Sequence, residues 1–169
     1  MKIVVQAFIT LDGVVQAGGG PDEDREGGFA HGGWMMDYDE QMDKVDEGRK
    51  IIEEWESRTE AQYFASRTLT TVGWKNSHLL GPGVPAAVRK LRAEPGGEIR
   101  VWGTELVKTL AQHDLVDEYR LAVYPLVLGS GKKLFSDGFA PARLTLVETR
   151  ALRSGVLINS YQRAEADGT

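Results

Sequence analysis

The chain has 169 residues, a length that suits one domain with a substantial buried core. Its net charge of −5 mildly repels nucleic acid and anionic membranes, and a 41% hydrophobic, 27% charged composition is that of a folded globular protein rather than a disordered chain. It contains no cysteine, which excludes disulfides, thiol nucleophiles and thiolate metal sites together.

The apolar run after Met1 is too short for a signal peptide, and no segment reaches the apolar length that spans a bilayer. The expectation is a cytoplasmic protein with no membrane and no nucleic-acid partner. Residues 2–9 read as a strand buried on both faces, since Ile3, Val4 and Val5 are all apolar, and Asp12-Gly13 ends it. Residues 18–33 hold seven of the 20 glycines and form neither a helix nor a regular strand; they are either a linker or a functional loop. Residues 38–55 have helical spacing, with Met42, Val45, Ile51, Ile52 and Trp55 near one face. Short strands follow at 61–65 and 77–80, then a helix at 84–93 stopped by Pro95-Gly96-Gly97. A strand at 99–102 leads through Gly103-Thr104 into a helix ending at Gln112, with Thr104 as the expected N-cap. Residues 117–127 form a long strand interrupted at Pro125, and 144–149 and 155–162 form an antiparallel pair. Strands alternating with helices and then running consecutively define an α/β domain. Its sheet is mostly parallel, with helices on both faces and an antiparallel C-terminal edge. One domain is expected over residues 1–163, with a frayed tail at 164–169.

His31, His78 and His113 lack metal-ligand spacing, so no metal site is expected, and the chain has neither a nucleophile elbow nor a phosphate-binding P-loop. A nicotinamide cofactor carries its own hydride and asks the protein only for position: an anion site, cations for an extra phosphate and an apolar slot. The strand–Gly103-Thr104–helix junction is the best anion site, since backbone N–H groups and the helix dipole favour a phosphate there, although a plain helix start reads the same way. Ser66-Arg67-Thr68 offers a guanidinium and two hydroxyls for a 2′-phosphate, or is an exposed strand end. Asp12 could orient a substrate amine, or is an ordinary turn aspartate. Gly129-Ser130-Gly131-Lys132 either lets backbone approach a ligand or makes a tight turn.

The order of these passages resembles the reductase domain of the riboflavin-biosynthesis deaminase–reductase and its stand-alone bacterial relatives, of dihydrofolate reductase-like fold. The likeness is carried by Phe8-Ile9-Thr10-Leu11-Asp12-Gly13-Val14 with Gly20-Pro21-Asp22-Glu23-Asp24 and Gly28-Phe29-Ala30-His31-Gly32-Gly33-Trp34. It continues in Ala65-Ser66-Arg67-Thr68-Leu69 with Trp74-Lys75-Asn76-Ser77, and in Val101-Trp102-Gly103-Thr104-Glu105-Leu106-Val107. The most specific passage is Leu115 to Leu121 leading into Pro125-Leu126-Val127-Leu128-Gly129-Ser130-Gly131-Lys132-Lys133-Leu134-Phe135.

The resemblance implies a homodimeric, NADPH-dependent reductase of a small heteroaromatic or carbonyl compound, of the kind that reduces 5-amino-6-(5-phosphoribosylamino)uracil. It assigns Ala7 and Ile9 to the nicotinamide and Asp12 to catalysis and substrate binding. It gives Ser66, Arg67 and Thr68 to the adenosine phosphate, and Gly103, Thr104, Glu105 and Leu106 to the pyrophosphate. Gly129 also falls to the cofactor, and Gly13, Trp34, Leu128 and Ser130 to the substrate.

Two departures bear on this. No strand ending in a Gly-Arg-(Arg/Lys)-Thr turn follows the first long helix, so its neighbours must re-pair, leave buried backbone unpartnered or borrow a strand from a second subunit. Gly103 also stands alone where relatives carry Gly-Gly or Gly-Ser-Gly. Two or three lost hydrogen bonds to phosphate, at roughly 1.5–3 kcal/mol each, would weaken the cofactor by about two to five decades. The alternative reading is a family member that binds a small ligand without reducing it, or serves as a dimeric scaffold.

Overall fold

The computed structural model describes residues 1–38, 47–65, 77–80 and 83–164. Seven strands build one sheet: β1 Lys2–Thr10, β2 Thr59–Ala65, β3 Ser77–Leu80, β4 Glu98–Val101, β5 Glu118–Tyr124, β6 Leu144–Ala151 and β7 Leu157–Arg163. Between them lie α1 Glu47–Ser57, α2 Val84–Ala93 and α3 Thr104–Gln112. The strand order is β3-β2-β4-β1-β5-β7-β6. Pairing is parallel from β3 to β5, and β7 and β6 close the far side antiparallel.

β1 is central, and its sequence shows why. Ile3, Val5, Ala7 and Ile9 face a core that also takes Val88 from α2 and Leu106, Val107 and Leu110 from α3. Its other face looks toward α1, where Ile51 and Trp55 pack with Ala122, Tyr124, Ile158 and Trp34, and Phe8 joins at the edge. A strand with helices on both sides is apolar at nearly every position, so the two-period alternation of a half-buried strand is missing.

Beneath α1, at the amino ends of the parallel strands, a polar layer replaces apolar packing. Arg120, 3% exposed, donates from Nη1 and Nη2 to Glu98 at 2.7 and 2.6 Å and from Nε to Glu118 at 2.6 Å. Lys2 and Gln162 also reach Glu118. Burial alone would raise the Glu118 carboxyl, but Lys2 and Arg120 outweigh it and hold the group below its ordinary value.

Most expected elements are present, with four differences. The long strand stops at Tyr124 rather than residue 127, because Pro125 has no N–H to continue the ladder. Gly103, not Thr104, holds the cap position of α3; Thr104 is its first helical residue, and no side chain caps the first turn. Of the helix expected at 38–55, residues 47–57 are observed, while Met42 and Val45 lie outside the described residues. Finally, only Arg58 separates α1 from β2, which pairs directly with β4 through a register shift between Thr59 and Ala61. β2 therefore lies directly beside β4 in the sheet.

Candidate active-site cleft

α1 packs on one face of the sheet and α3 on the other. The chain therefore leaves β1 and β4 in opposite directions, and a crevice opens between their carboxyl ends. That is where ligands bind in open α/β sheets. A cleft of about 430 Å³ lies there. One wall is β1 from Val5 to Phe8, with Val101 and Trp102 at the end of β4 and Gly103, Thr104 and Val107 at the start of α3. The opposite wall comes from Val15 to Gly18, Glu23, Asp24 and Met35 in the glycine-dense loop, and from Lys132 and Leu134 in the segment after β5.

The β4–α3 junction leaves donors open. Gly103 adopts φ +93°, and a Cβ there would meet no atom within 4 Å, so the backbone presents a smooth face to the cleft. The first backbone bond of α3 runs from the Val107 N–H to the Gly103 carbonyl. The N–H groups of Thr104, Glu105 and Leu106 precede it and lie at the positive end of the helix.

The loop is fastened to the late turn by charge and amide contacts. Lys132 Nζ donates to Asp24 Oδ2 and Glu26 Oε2, both at 2.6 Å. The Gln16 amide accepts from the Lys132 N–H at 3.0 Å and donates to the Glu26 carbonyl at 3.0 Å. Asp24 is held below the ordinary carboxylate range, first by Lys132 and then by the Glu26 N–H; Lys132 is raised by the same carboxylates.

The structure gives several expected residues other positions. Ala7, Gly103 and Thr104 line the cleft. Ile9 and Leu106 turn into the core, at 6% and 5% exposure, so Leu106, like the exposed Glu105, has only its backbone N–H to offer. Trp34 is buried against Tyr124 and donates from Nε1 to the Gln16 carbonyl at 2.8 Å, which makes it a support for the loop. Leu128 packs against the α1-side core, and Ser130 borders a separate depression with Gly27, Gly28 and Phe29. Gly13 and Gly129 belong to turns outside the cleft lining. Ser66, Arg67 and Thr68 lie outside the described residues.

Asp12 is the main correction. It lies outside the cleft lining, and its carboxylate accepts from Thr10 Oγ1 at 2.6 Å and from the Leu128 and Gly129 N–H groups at 3.2 and 2.9 Å. The Thr10 hydroxyl lowers it most, burial opposes, and the Gly129 and Leu128 N–H groups add to the lowering, which takes it from 3.8 to about 2. A carboxylate so held is a buckle between two turns and a poor proton relay at neutral pH. Asp12→Ala is expected to cost about 1–3 kcal/mol in a urea melt, since it strands two turn N–H groups. In the wild type the folded state keeps Asp12 ionised below its unfolded value. Its contribution is therefore full above pH 3.8 and lost as pH falls toward about 2. Melts of the alanine variant should lose that segment of the pH profile.

Sequence reasoning missed Gln6, Gln16, Glu23, Asp24, Met35, Trp102 and Lys132 as parts of one site. The available signal was Glu23-Asp24 together with Lys132, opposite charges in the two glycine-rich segments; nothing in their spacing showed that the segments meet.

No described helix is long and apolar enough to cross a membrane. A parallel sheet with helices on both faces, an antiparallel edge and a cleft at the carboxyl ends defines a dihydrofolate reductase-like domain. The profile of the RibD C-terminal domain family matches residues 58–158, and the chain belongs to that family. It is 28% identical over 179 residues to the Bacillus subtilis protein YyaP, described as uncharacterized, with 92% of each chain covered. Its fold is similar to that of a putative riboflavin biosynthesis protein from Shewanella sp. PV-4, with a TM-score of 0.63 at 15% identity over 98% of this chain and 100% of that one. It is similar too to a Thermotoga maritima diaminohydroxyphosphoribosylaminopyrimidine deaminase/5-amino-6-(5-phosphoribosylamino)uracil reductase, with a TM-score of 0.56 at 13% identity over 96% of this chain and 56% of that one.

Proposed function

We propose that the chain is a cytoplasmic NADPH-dependent reductase of a small heteroaromatic or carbonyl compound. The observation that carries this is the cleft between β1 and β4, with uncapped N–H groups of α3 opening on an apolar slot. The residues present fit the cofactor: Gly103 leaves room for a diphosphate against the helix end, and Ala7, Val101, Val107 and Leu134 supply an apolar wall. Bound there, NADPH would supply a hydride to an electron-poor carbon of the substrate. Thr104 and the two following N–H groups hold the diphosphate, Arg67 with Ser66 and Thr68 is assigned to the 2′-phosphate, and the apolar wall excludes water beside the reacting carbon. Asp12 keeps the late turn in place and does not move the proton.

Titration with NADPH by fluorescence or calorimetry tests this reading, which fails if the wild type takes up no cofactor at millimolar concentration. Gly103→Ala is expected to raise the NADPH dissociation constant at least tenfold. A Cβ at φ +93° strains the turn by about 1–3 kcal/mol and would fill the open space that a diphosphate would need there. A second reading, ligand binding without reduction, is favoured by the single residue between α1 and β2, which leaves no strand there to carry a second phosphate turn. A small molecule retained through purification, with no NADPH oxidation on any candidate substrate, would support it. In either case we propose a homodimer, since Leu146, Val147 and Leu157 expose apolar surface at the β6–β7 edge.

A further inference from the structure

The walls of the cleft also carry information about what enters it. Gln6 is 3% exposed, a buried amide in the middle of an otherwise apolar strand, and it lines the cleft. Arg100 Nη1 donates to Gln6 Oε1 at 3.2 Å. A guanidinium only donates, so the amide oxygen must face it and Nε2 is left as the free end. Among the described residues Gln6 Nε2 has no partner. Arg100 itself stands behind Gln6, outside the cleft lining, stacked 5.0 Å from the Trp102 ring centroid and 3.9 Å from Glu56.

At the rim the charge is of the other sign. Glu23 Oε2 accepts from the Gly19 N–H at 2.8 Å, and Glu23 Oε1 has no partner among the described residues. Lys132 is the one cation in the described lining, and it is already held at 2.6 Å by both Asp24 and Glu26. The described lining therefore holds two carboxylates, Glu23 and Asp24, and one ammonium, which Glu26 beside the cleft also holds. A dianionic phosphate brought to this rim would meet net negative charge and would have to break two ion pairs to reach a cation.

Resting on the reductase reading above, we propose that this site takes an unphosphorylated planar ring bearing an amino group. Gln6 Nε2 donates to a carbonyl oxygen or ring nitrogen at the floor, and the Glu23 carboxylate accepts from the amino group at the rim. Arg100 is a positioning residue that fixes the Gln6 amide. The substrate thus differs from that of the phosphoribosyl-uracil reductase whose fold the chain shares.

The matched probes are 5-amino-6-ribosylaminouracil and its 5′-phosphate, titrated by calorimetry into the full-length protein with and without NADPH. The unphosphorylated compound is expected to bind at least tenfold more tightly. Glu23→Gln, which keeps the Gly19 contact, should weaken it about tenfold, and Glu23→Lys should shift the preference toward the phosphate. Thermal melts confirm that both variants fold, since Glu23 is exposed on its loop. Equal or tighter binding of the phosphorylated compound, binding of neither, or indifference to Glu23→Gln overturns the inference. NADPH titrations on the same preparations keep the two readings apart. A wild type that binds NADPH yet prefers the phosphate overturns the substrate class alone. One that does not bind NADPH overturns the reductase reading, while the cofactor-free titrations still decide the substrate class.

Discussion

Arg120→Met is expected to destabilise the protein by about 3–5 kcal/mol, a fall in melting temperature on the order of 6–20 °C for a chain of this size. The guanidinium is the shared partner of two carboxylates that are themselves largely enclosed, with 17% of the Glu98 side chain and 7% of the Glu118 side chain exposed. Removing it leaves two negative charges in a poorly hydrated layer, with Lys2 and Gln162 still reaching Glu118 and both hydrogen bonds from Arg120 to Glu98 gone. The deficit should be greatest near neutral pH. It should shrink as pH falls, because burial, no longer opposed by Arg120, pushes the Glu118 carboxyl toward protonation. Replacing Glu98 and Glu118 as well, by leucine, should recover much of the loss, because an uncharged layer has no unpaired ion to desolvate. Urea melts between pH 5 and 8 decide the matter. A loss below about 1 kcal/mol at neutral pH would show that the layer is hydrated enough for Arg120 to be dispensable.

Gly131→Ala should harm activity more than its modest size suggests. Gly131 sits at φ +116°, and a Cβ there would lie 2.7 Å from both the Phe29 ring and Val14 Cγ1. Val14 is fully buried and branched, so it cannot swing away, and Phe29 belongs to the loop that roofs the cleft. Backbone strain of about 1–3 kcal/mol adds to a similar cost for the overlap. The relief available is to push the glycine-dense loop off the late turn, which would strain the Gln16–Lys132 and Lys132–Asp24 contacts together. Limited proteolysis should then cut within residues 18–33 faster than in the wild type, and ligand affinity should fall in parallel. A variant with unchanged protease resistance would show that Phe29 adjusts without moving the loop.

The fold was largely legible because its signals are local. β3 and α2 were read to the residue, and α3 to within one residue at its start, from apolar spacing and from the Gly and Pro that flank them. β1 was recognisable from its unbroken apolar run, which only a strand covered on both faces can afford. The interruption at Pro125 was legible too, but it ends β5 outright, and Leu126 and Val127 do not resume the strand. The site was less legible, since it depends on pairs distant in sequence. Asp12 has the composition of a catalytic turn residue, and only the distances to Thr10, Leu128 and Gly129 reveal a buckle. Gln6 looks like an outward polar position in a strand until Arg100 is found behind it. The strand that relatives carry after the first helix could be seen to be missing from the sequence; the register shift of β2 on β4 shows only in the backbone pairing, not in any motif.

The position of β1 also governs how the chain can be made. Its pairing partners are residues 98–101 and 118–124, so β1 leaves the ribosome long before either neighbour. At about 5–20 residues per second, the 91 residues from Thr10 to Val101 take roughly 5–18 s to synthesise, and Ile3, Val4, Val5, Phe8 and Ile9 wait that long for the first of their two neighbours. Nascent chains of this protein should therefore engage holding chaperones early and release them abruptly once residue 124 has emerged.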